Sequence, residues 1–219
     1  SDAVGVVSEN DLDLVTDDIP YEKVKVIPNG VDLEHFDINR LAKARKLVSI
    51  GSLDWKPNVN GLLWFLDHVW PQVLHYAPDA TFDIVGRNPP ECLLKRANDS
   101  VSIFGSVPDI RDYVMPASVF VVPLFSGGGT RLKVLEAMAM RIPLVSTTTG
   151  VEGIECTEGF HALISDDPEV FADNIIKLLN NEDMAQDLAC ASRKLVEKKY
   201  SWNAIGEKLD ACYRMIVKN

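Results

Sequence analysis

The chain has 219 residues, 47% of them hydrophobic, so it is long enough to bury a core as one domain, or as one domain with a fragment of another. Asp and Glu number 32 against 22 Lys and Arg, and the net charge of −10 argues against the broad phosphate-backbone contact of nucleic-acid-binding proteins. Its apolar stretches are far shorter than the roughly 20 residues that cross a bilayer, so no transmembrane helix is predicted.

Two strand-like runs open the chain, AVGVVS at 3–8 and KVKVIPNGVD at 23–32, with a polar helical run, DLDLVTDD, between them. A segment of mixed charge, NRLAKARK, follows the Asn-Gly turn signal of the second run. We interpret residues 1–28 as the end of a preceding domain or as extra edge elements. Residues 29–200 are expected to form the main domain, and residues 201–219 a C-terminal helix.

From residue 46 onward, strand-like and helix-like runs alternate. The strands are predicted at 46–51, 81–86, 101–105, 118–124, 142–147 and 161–167. A helix with Asn58 as its N-cap follows the first strand, and PDIRDYV predicts a helix opening on Pro108. Three helices close the chain, at 168–180, 182–198 and about 201–217, with Ser201 as a candidate N-cap. This alternation predicts an α/β fold, a doubly wound parallel sheet with helices on both faces.

Three of the predicted strands end in a glycine, at Gly51, Gly86 and Gly105. The carboxyl ends of parallel strands line the ligand crevice, where helix N-termini favour an anion such as phosphate. Each glycine alone could equally serve a tight turn. No loop carries GxGxxG or GxxxxGK[ST], so a dinucleotide-binding Rossmann protein of the NAD type is a weak alternative.

The stretch SGGGTRLKVLEAMA at 126–139 is more specific. Three glycines allow a ligand to touch backbone, and Thr130 and Arg131 are predicted to open a helix whose N–H groups cradle an anion. Lys133 and Glu136 share a helical face, which fits a phosphate followed by a ribose. The pair could equally be an ordinary i,i+3 surface pair.

The cysteines and histidines are scattered along the chain. The four cysteines form no CxxC pair and the four histidines no HxxxH or HExxH spacing. The N-terminus lacks a basic segment followed by an apolar one, so it does not look like a secretion signal. We therefore expect a reduced, cytoplasmic protein that holds no metal with its own side chains.

The segments VKVIPNGVDLEHF, VSIGSLDWKPNVNGLLWF and PLFSGGGTRLKVLEAMAMRIPLVSTTTGVEGI, in this order, resemble the C-terminal, donor-binding half of a family 4 retaining glycosyltransferase of GT-B architecture. The resemblance covers essentially the whole chain. It implies a Rossmann-like domain that binds a nucleotide-diphosphate sugar, such as a UDP or GDP sugar, without a metal cofactor. The general base and most of the acceptor site are then expected outside this chain, in the preceding domain.

The resemblance also implies residue roles. Glu136 corresponds to the glutamate that holds the nucleotide ribose, whereas Gly128 stands where the family has a glutamate that contacts the donor sugar. Ser52 replaces an arginine, and Lys56 is the nearest counterpart of a lysine. The donor-binding set implied is Gly51, Ser52, Lys56, Arg87, Val107, Gly128, Gly129, Thr130, Arg131, Leu132, Lys133 and Glu136.

Several departures from the family pattern carry expectations of their own. Because cations are gained beside Gly129, we expect Arg131 or Lys133 to neutralise the diphosphate. Arg87 and Val107 follow the second and third strands of the main domain, where the nucleobase would lie, although Arg87 could be only a solvated cation. Trp55 is expected to reach the cleft. Arg141 replaces a glycine in a turn.

The function predicted is that of the donor-binding domain of a glycosyltransferase, which passes a sugar to a sugar, glycan or lipid-linked acceptor. The expected location is the cytoplasm, with peripheral association of the full-length enzyme at the inner face of the membrane as a further expectation. No nucleic-acid partner is expected. Because the sugar-contacting glutamate is missing, a non-catalytic nucleotide-binding or interaction module with the same fold is an open alternative.

Overall fold

The computed structural model describes residues 3–15, 19–38 and 45–217. It contains two sheets, a two-stranded one near the N-terminus and a six-stranded one in the main domain. All six strands predicted from residue 46 onward are present, so the α/β prediction is confirmed. The strands are β1 (Val4–Val6), β2 (Val24–Val26), β3 (Lys46–Ile50), β4 (Thr81–Val85), β5 (Val101–Phe104), β6 (Val119–Val122), β7 (Leu144–Ser146) and β8 (Leu163–Ile164).

The main sheet is parallel throughout, with the strand order β5-β4-β3-β6-β7-β8. The chain builds outward from β3 in one direction as far as β5, then returns to the other side of β3 and continues from β6 to β8. The order therefore reverses between β3 and β6. In open parallel sheets a crevice forms at such a switch point, beyond the carboxyl ends of the strands.

Helices cover both faces of this sheet, which confirms the doubly wound arrangement. Phe65, Phe82 and Phe171 belong to the apolar cluster on one face, and Phe120 and Met138 to the cluster on the other. None of the helices in the described ranges is long and apolar enough to span a bilayer. The helices are α1 (Leu12–Val15), α2 (Lys56–Trp64), α3 (Trp70–Tyr76), α4 (Glu91–Leu94), α5 (Arg111–Val114), α6 (Leu132–Ala139), α7 (Pro168–Asn180), α8 (Glu182–Lys199) and α9 (Trp202–Val217).

Two helix starts differ from the sequence prediction. Helix α2 begins at Lys56 with Trp55 as its N-cap, so Asn58 lies inside the first turn and is not the cap. A proline in the first turn removes an N–H group that has no helical partner there, so the helix can begin before it. Helix α5 begins at Arg111, because the side chain of Asp109 accepts a hydrogen bond from the Arg111 N–H at 2.9 Å and ends the preceding turn.

Helices α2 and α3 are joined by a π-helical segment, Phe65–Val69, into one run that covers the helix predicted there. Pro71 lies in the first turn of α3, where its missing N–H is tolerated. The π-helical segment Phe65–Val69 is a wider turn that carries the chain from α2 into α3 without breaking the helix. The run presents Phe65, Val69 and Val73, all fully buried, to the sheet.

The N-terminal segment forms a small unit of its own. Strands β1 and β2 pair in parallel, and Val6, Leu12 and Val24 form a separate apolar cluster beside them. The rest of the predicted polar helix, 16–18, and most of the mixed-charge segment, 39–44, lie outside the described residues. The domain boundaries stay predictions.

The C-terminal helix α9 packs against the segment around Gly30, between β2 and the main sheet. The Ser201 Oγ accepts a hydrogen bond from the Ala204 N–H at 3.1 Å, which confirms Ser201 as the N-cap of α9. The ring of Trp202 lies so close to Gly30 that a Cβ there would fall 2.5 Å from a ring carbon. The glycine of the Asn-Gly turn is therefore needed for this contact.

Two helical glycines make a matched pair for a stability test. A Cβ at Gly61 would overlap the carbonyl oxygen of Pro123 just beyond β6, whereas a Cβ at Gly206 in α9 meets no atom of the described residues within 4 Å. We expect Gly61→Ala to lower the free energy of unfolding by about 1–3 kcal/mol through overpacking. Gly206→Ala should raise it by about 0.5–1 kcal/mol. Urea unfolding followed by circular dichroism measures both, and equal stabilisation by both variants would contradict the packing of α2 against β6.

Candidate functional site

A cleft of about 580 Å³ opens at the switch point of the main sheet. It lies between the loops that follow β3, β4 and β6, and the start of α6 forms one wall. Its lining mixes backbone, polar side chains and three cations, which suits an anionic ligand more than an apolar one. The lining residues are Ser52, Asp54, Trp55, Asn58, Arg87, Leu124, Gly128, Thr130, Arg131, Leu132 and Lys133.

The glycine-rich loop follows β6 and has a backbone that other residues adopt only with strain. Gly127 and Gly129 have φ values of +126° and +76°. A Cβ at Gly127 would also fall 2.5 Å from the ring of Trp55. The loop therefore runs close to the Trp55 ring and exposes its backbone to the cleft, as the sequence predicted.

Arg131 is buried beneath this loop and holds it in place. Its Nη1 donates to the carbonyl oxygens of Gly128 and Gly129 at 2.6 and 3.0 Å, and its Nη2 donates to that of Gly127 at 2.9 Å. Its Nε donates to the Thr149 carbonyl at 3.3 Å. Only 5% of the Arg131 residue surface is exposed.

These bonds bear on the expectation that Arg131 or Lys133 would neutralise a diphosphate. Burial lowers the pKa of Arg131, and the carboxylate of Glu152, 3.5 Å from Nη2, partly opposes this effect. An arginine nevertheless stays charged in proteins. Because the Arg131 N–H groups point at loop carbonyls, the geometry leaves Lys133, rather than Arg131, available to an anion in the cleft.

Helix α6 begins one residue after Arg131, so the prediction that Thr130 and Arg131 open the helix is wrong. Arg131 is the N-cap residue with a ψ of 85°, which is not helical, and its side chain turns back to the loop carbonyls. The hydroxyl of Thr130 instead donates to the Val7 carbonyl of the N-terminal unit at 3.3 Å. The apolar face of α6 anchors it in the core through Val134, Leu135, Ala137, Met138 and Ala139, all fully buried.

Lys133 lies in the first turn of α6, half-buried at the floor of the cleft. Its Nζ donates to the Oδ1 of Asn58 at 2.7 Å and forms no ion pair with a carboxylate of the described residues. Burial, and then the positive charge of Arg131, lower the pKa of Lys133 to about 7. An anion that entered the cleft would stabilise the charged amine and raise this pKa.

Glu136 lies one turn further along α6 and does not line the cleft. Its residue is half-buried, and burial raises the pKa of its carboxyl, while the positive charge of His35 opposes the rise. No side-chain hydrogen bond to a described residue occupies this carboxylate. A half-buried carboxylate of this kind is suited to accept hydrogen bonds from hydroxyl groups.

The mouth of the cleft carries a group of polar side chains from the loops after β3 and β4. Asp54 accepts a hydrogen bond from Asn88 at 3.1 Å and lies 3.4 Å from the Nε of Arg87. These contacts lower the pKa of the Asp54 carboxyl, that with Asn88 most. Arg87 is therefore partly neutralised by Asp54, and Arg131 lies 3.5 Å from the carboxylate of Glu152. Lys133 is the lining cation that has no carboxylate partner among the described residues.

Seven of the twelve predicted donor-binding residues meet at the cleft, namely Ser52, Arg87, Gly128, Thr130, Arg131, Leu132 and Lys133. The other five lie outside its lining. Gly51 lies directly behind Lys133, and the carbonyl of Gly129 faces Arg131. Lys56 is exposed at the start of α2, and Val107, which follows the edge strand β5, is half-buried and packs against the apolar cluster that contains Phe120 and Met138. Gly105 also lies outside the lining.

Asp54, Asn58 and Leu124 also line the cleft, and sequence reasoning did not place them there. The sequence pattern predicts Asn58 as a helix cap, although a polar residue seven positions after a strand-end glycine is also a signal of the site. Trp55, 39% exposed, reaches the cleft as predicted. Trp70 is buried and Trp64 half-buried, and both pack in the apolar cluster that contains Phe65 and Phe82.

Within the described ranges, no group of three or more His, Cys, Asp or Glu side chains converges in a way that could hold a metal ion. The four cysteines are unpaired. Arg141, which replaces a turn glycine of the related family, has φ of +53° and forms an ion pair with Asp37. The left-handed turn is therefore kept, with an arginine in a conformation that favours glycine.

Comparisons with known proteins agree with this geometry. A family model described as glycosyl transferases group 1 matches residues 44–181, more than half of the chain. The chain is 27% identical over 161 residues to an uncharacterized 44.6 kDa protein in the cps region of Klebsiella pneumoniae, covering 69% of this chain and 41% of that protein. It is also 27% identical over 208 residues to a GDP-mannose-dependent monoacylated alpha-(1-6)-phosphatidylinositol monomannoside mannosyltransferase of Corynebacterium glutamicum. That match covers 84% of this chain and 54% of the mannosyltransferase.

The solved structures show the same fold. Anabaena Alr3699/HepE, in a crystal structure with UDP, matches with a TM-score of 0.83 at 13% identity, over 98% of this chain and 64% of that chain. At this identity the match shows the fold alone. The chain spans between 36% and 54% of the length of the four curated relatives that it matches.

The role of Arg131 can be tested by replacing its planar group. Lysine keeps the charge but cannot donate to several carbonyls in a fixed fork, so we expect Arg131→Lys to loosen the glycine-rich loop. Urea unfolding followed by circular dichroism should give a free energy of unfolding that is lower by about 1–3 kcal/mol, because the loop carbonyls lose their hydrogen-bond donors. Arg214→Lys, at an exposed pair with Asp210 on α9, is the matched control. An unchanged free energy of unfolding in Arg131→Lys would show that Arg131 does not hold the loop.

Proposed function

Since the chain belongs to the glycosyl transferases group 1, we propose that its cleft binds the nucleotide-diphosphate part of a sugar donor and that the longer protein transfers the sugar. The observation that carries the proposal is Lys133. It is a half-buried cation without a carboxylate partner among the described residues, set beside an exposed glycine-rich backbone and the start of a helix. Such a combination matches a diphosphate in charge and shape.

The chemistry follows from where charge develops. During transfer, the bond between the anomeric carbon of the sugar and the diphosphate oxygen breaks, and its electron pair stays on that oxygen. Lys133, the loop N–H groups and the N-terminus of α6 would stabilise this growing negative charge. The acceptor oxygen forms the new bond to the anomeric carbon, and its proton passes to a base that we place outside this chain. No metal ion bound by the protein is needed in this scheme.

The remaining roles are assigned by position. We place the ribose at Glu136 and the nucleobase towards Arg87 and Val107, with Gly51, Ser52, Lys56 and the loop from Gly128 to Leu132 around the diphosphate and sugar. The support is that six of these residues share one cleft with Lys133. Glu136, Lys56 and Val107 lie outside the lining of that cleft, so their contacts would need a ligand that extends beyond the diphosphate.

We place the chain as the C-terminal, donor-binding half of a family 4 retaining enzyme, because its motifs follow the family order and because it spans about half or less of its curated relatives. The acceptor would be a sugar, glycan or lipid-linked sugar bound mainly by the other half. We propose a cytoplasmic location, with the full-length enzyme at the inner face of the membrane.

One observation favours a second candidate, a nucleotide-binding module without activity. Gly128 stands where related enzymes have a sugar-contacting glutamate, and the carboxylate in the described cleft lining, Asp54, is engaged with Arg87 and Asn88. Release of free nucleoside diphosphate by the longer protein, in the presence of a panel of acceptors, separates the two. The isolated chain should bind donor weakly and transfer little, and efficient transfer by it alone would contradict the placement of the acceptor site elsewhere.

Donor binding should depend on pH through Lys133. In the unliganded protein its pKa is about 7, and a bound diphosphate would raise that pKa, so the complex holds one more proton than the free protein above pH 7. Affinity should therefore be constant at lower pH and fall by about tenfold per pH unit as the pH rises above about 7. Isothermal titration with UDP-glucose and GDP-mannose measures this, because neither diphosphate diester titrates in that range.

Substitution of Lys133 supplies the control for this pH dependence. Lys133→Met should weaken binding at pH 6 by at least about tenfold and should remove the decline at higher pH, since the titrating amine is gone. Lys208→Met, an exposed lysine on α9, is the matched variant. A decline that persists in Lys133→Met would assign the titration to another group.

The ribose assignment predicts a different pattern. Glu136→Gln should weaken binding of UDP by about fivefold to thirtyfold, because a charged acceptor to hydroxyl groups is worth about 1–2 kcal/mol more than a neutral one. Binding of inorganic pyrophosphate, which has no ribose, should be unaffected. If Glu136→Gln weakens both ligands equally or neither, Glu136 does not hold the ribose.

A further inference from the structure

Asn58 connects the loop after β3 to the first turn of α6, across the switch point. Its residue is 6% exposed, in the first turn of α2. Its Nδ2 donates to the carbonyl of Ser52 at 2.8 Å, and its Oδ1 accepts from the Nζ of Lys133 at 2.7 Å. One buried amide therefore links the loop after β3 to the helix after β6.

The chemistry of the two partners determines the orientation of this amide. A lysine ammonium can only donate and a backbone carbonyl can only accept. The amide oxygen must face Lys133 and the amide nitrogen must face Ser52. Asparagine supplies both groups on one short side chain, whereas aspartate lacks the donor and leucine lacks both.

Gly51 provides the space for this arrangement. A Cβ at position 51 would lie 2.8 Å from the Nδ2 of Asn58 and 3.3 Å from the Nζ of Lys133. The backbone of Gly51 does not have a positive φ, so no turn requires a glycine there. The strand-end glycine is needed because the two side chains meet directly above it.

The groups around Lys133 leave its charge uncompensated. Arg131, on the loop before α6, lowers its pKa, and Arg87 and Asp54, on the loops after β4 and β3, line the same cleft but pair with each other. Asn58, from α2, contributes an acceptor that carries no charge. An amide can fix the position of an amine without neutralising it, whereas a carboxylate would form an ion pair with it.

We propose that Asn58 is a positioning residue that holds Lys133 at the floor of the cleft through an uncharged hydrogen bond, so that the charge of the amine is kept for the donor diphosphate. This inference rests on the proposed function. It adds to that function a reason why a buried asparagine, and not an acid or an apolar residue, occupies position 58.

The test compares two substitutions whose effects on the titration of Lys133 are opposite. In Asn58→Asp the introduced carboxylate stabilises the charged amine, so the decline of UDP-glucose affinity should begin at a pH higher by about one unit or more. In Asn58→Leu the acceptor is lost, and the decline should begin at a lower pH. Both variants should weaken binding at pH 6, Asn58→Asp by at least about tenfold because the carboxylate competes with the diphosphate.

A purely structural role would not shift the two titrations in opposite directions. Shifts in the same direction, or none in a variant that thermal unfolding shows to be folded, overturn the proposal. A variant that does not fold is replaced by the glycine pair. Gly51→Ala should weaken UDP-glucose binding by crowding Asn58 and Lys133, and Gly206→Ala on α9, where a Cβ meets no described atom within 4 Å, should leave it unchanged. Equal affinity in both glycine variants also overturns it.

The parent chain separates failure of this inference from failure of the proposed function. If the unmodified chain binds UDP-glucose or GDP-mannose with an affinity that Lys133→Met abolishes, the proposed function stands and the Asn58 variants decide the inference alone. If it binds neither, nor UDP, GDP or pyrophosphate, the proposed function and the inference are both overturned.

Discussion

The site depends on a guanidinium group buried under a loop of glycines. Three consecutive glycines have no side chains with which to pack, and on their own they would sample many conformations. Arg131 takes the place of the missing contacts by donating to the carbonyl of each one. The loop carbonyls therefore point inward, and an anion in the cleft would not meet their negative ends. The positive charge of Arg131 beneath the loop also lowers the pKa of Lys133. One side chain thus shapes the loop and adjusts the amine beside it.

Much of the fold could be predicted because periodicity and strand-end glycines are local signals. The alternation of strands and helices predicts a parallel sheet with a ligand crevice beyond the carboxyl ends of its strands, whereas the strand order is seen only in the structure. Asn58 could not be placed in the same way, since a residue after a proline has the same sequence signal whether it caps a helix or turns inward. The role of Arg131 could not be predicted either. A basic residue after glycines predicts an anion-binding site, whereas here the carbonyls of the loop itself accept the hydrogen bonds of the guanidinium group. Both errors concern where a polar side chain finds its partner, which is decided by tertiary contacts.

The distribution of charge explains how an acidic chain can offer a site for an anion. With a net charge of −10, the surface as a whole repels phosphate. At the cleft, two of the three cations are satisfied by the protein itself, Arg131 by backbone carbonyls and Arg87 by Asp54. Lys133 is left with a neutral amide in a partly dehydrated setting, where a charge interacts more strongly than at the surface. A single amine in such a place contributes selectivity that a broad basic patch would not.

The closest approaches around the switch point are made by backbone and not by side chains. Gly61 lies against the carbonyl of Pro123, and Gly86 lies against that of Gly51, with no room for a methyl group at either glycine. The distance between α2, β3, β4 and β6 at this end of the sheet is therefore set by atoms that every amino acid shares. The apolar clusters further down the sheet can exchange one hydrophobic residue for another without changing that distance. Sequence drift in the core should accordingly alter how well the domain tolerates heat long before it alters the shape of the crevice.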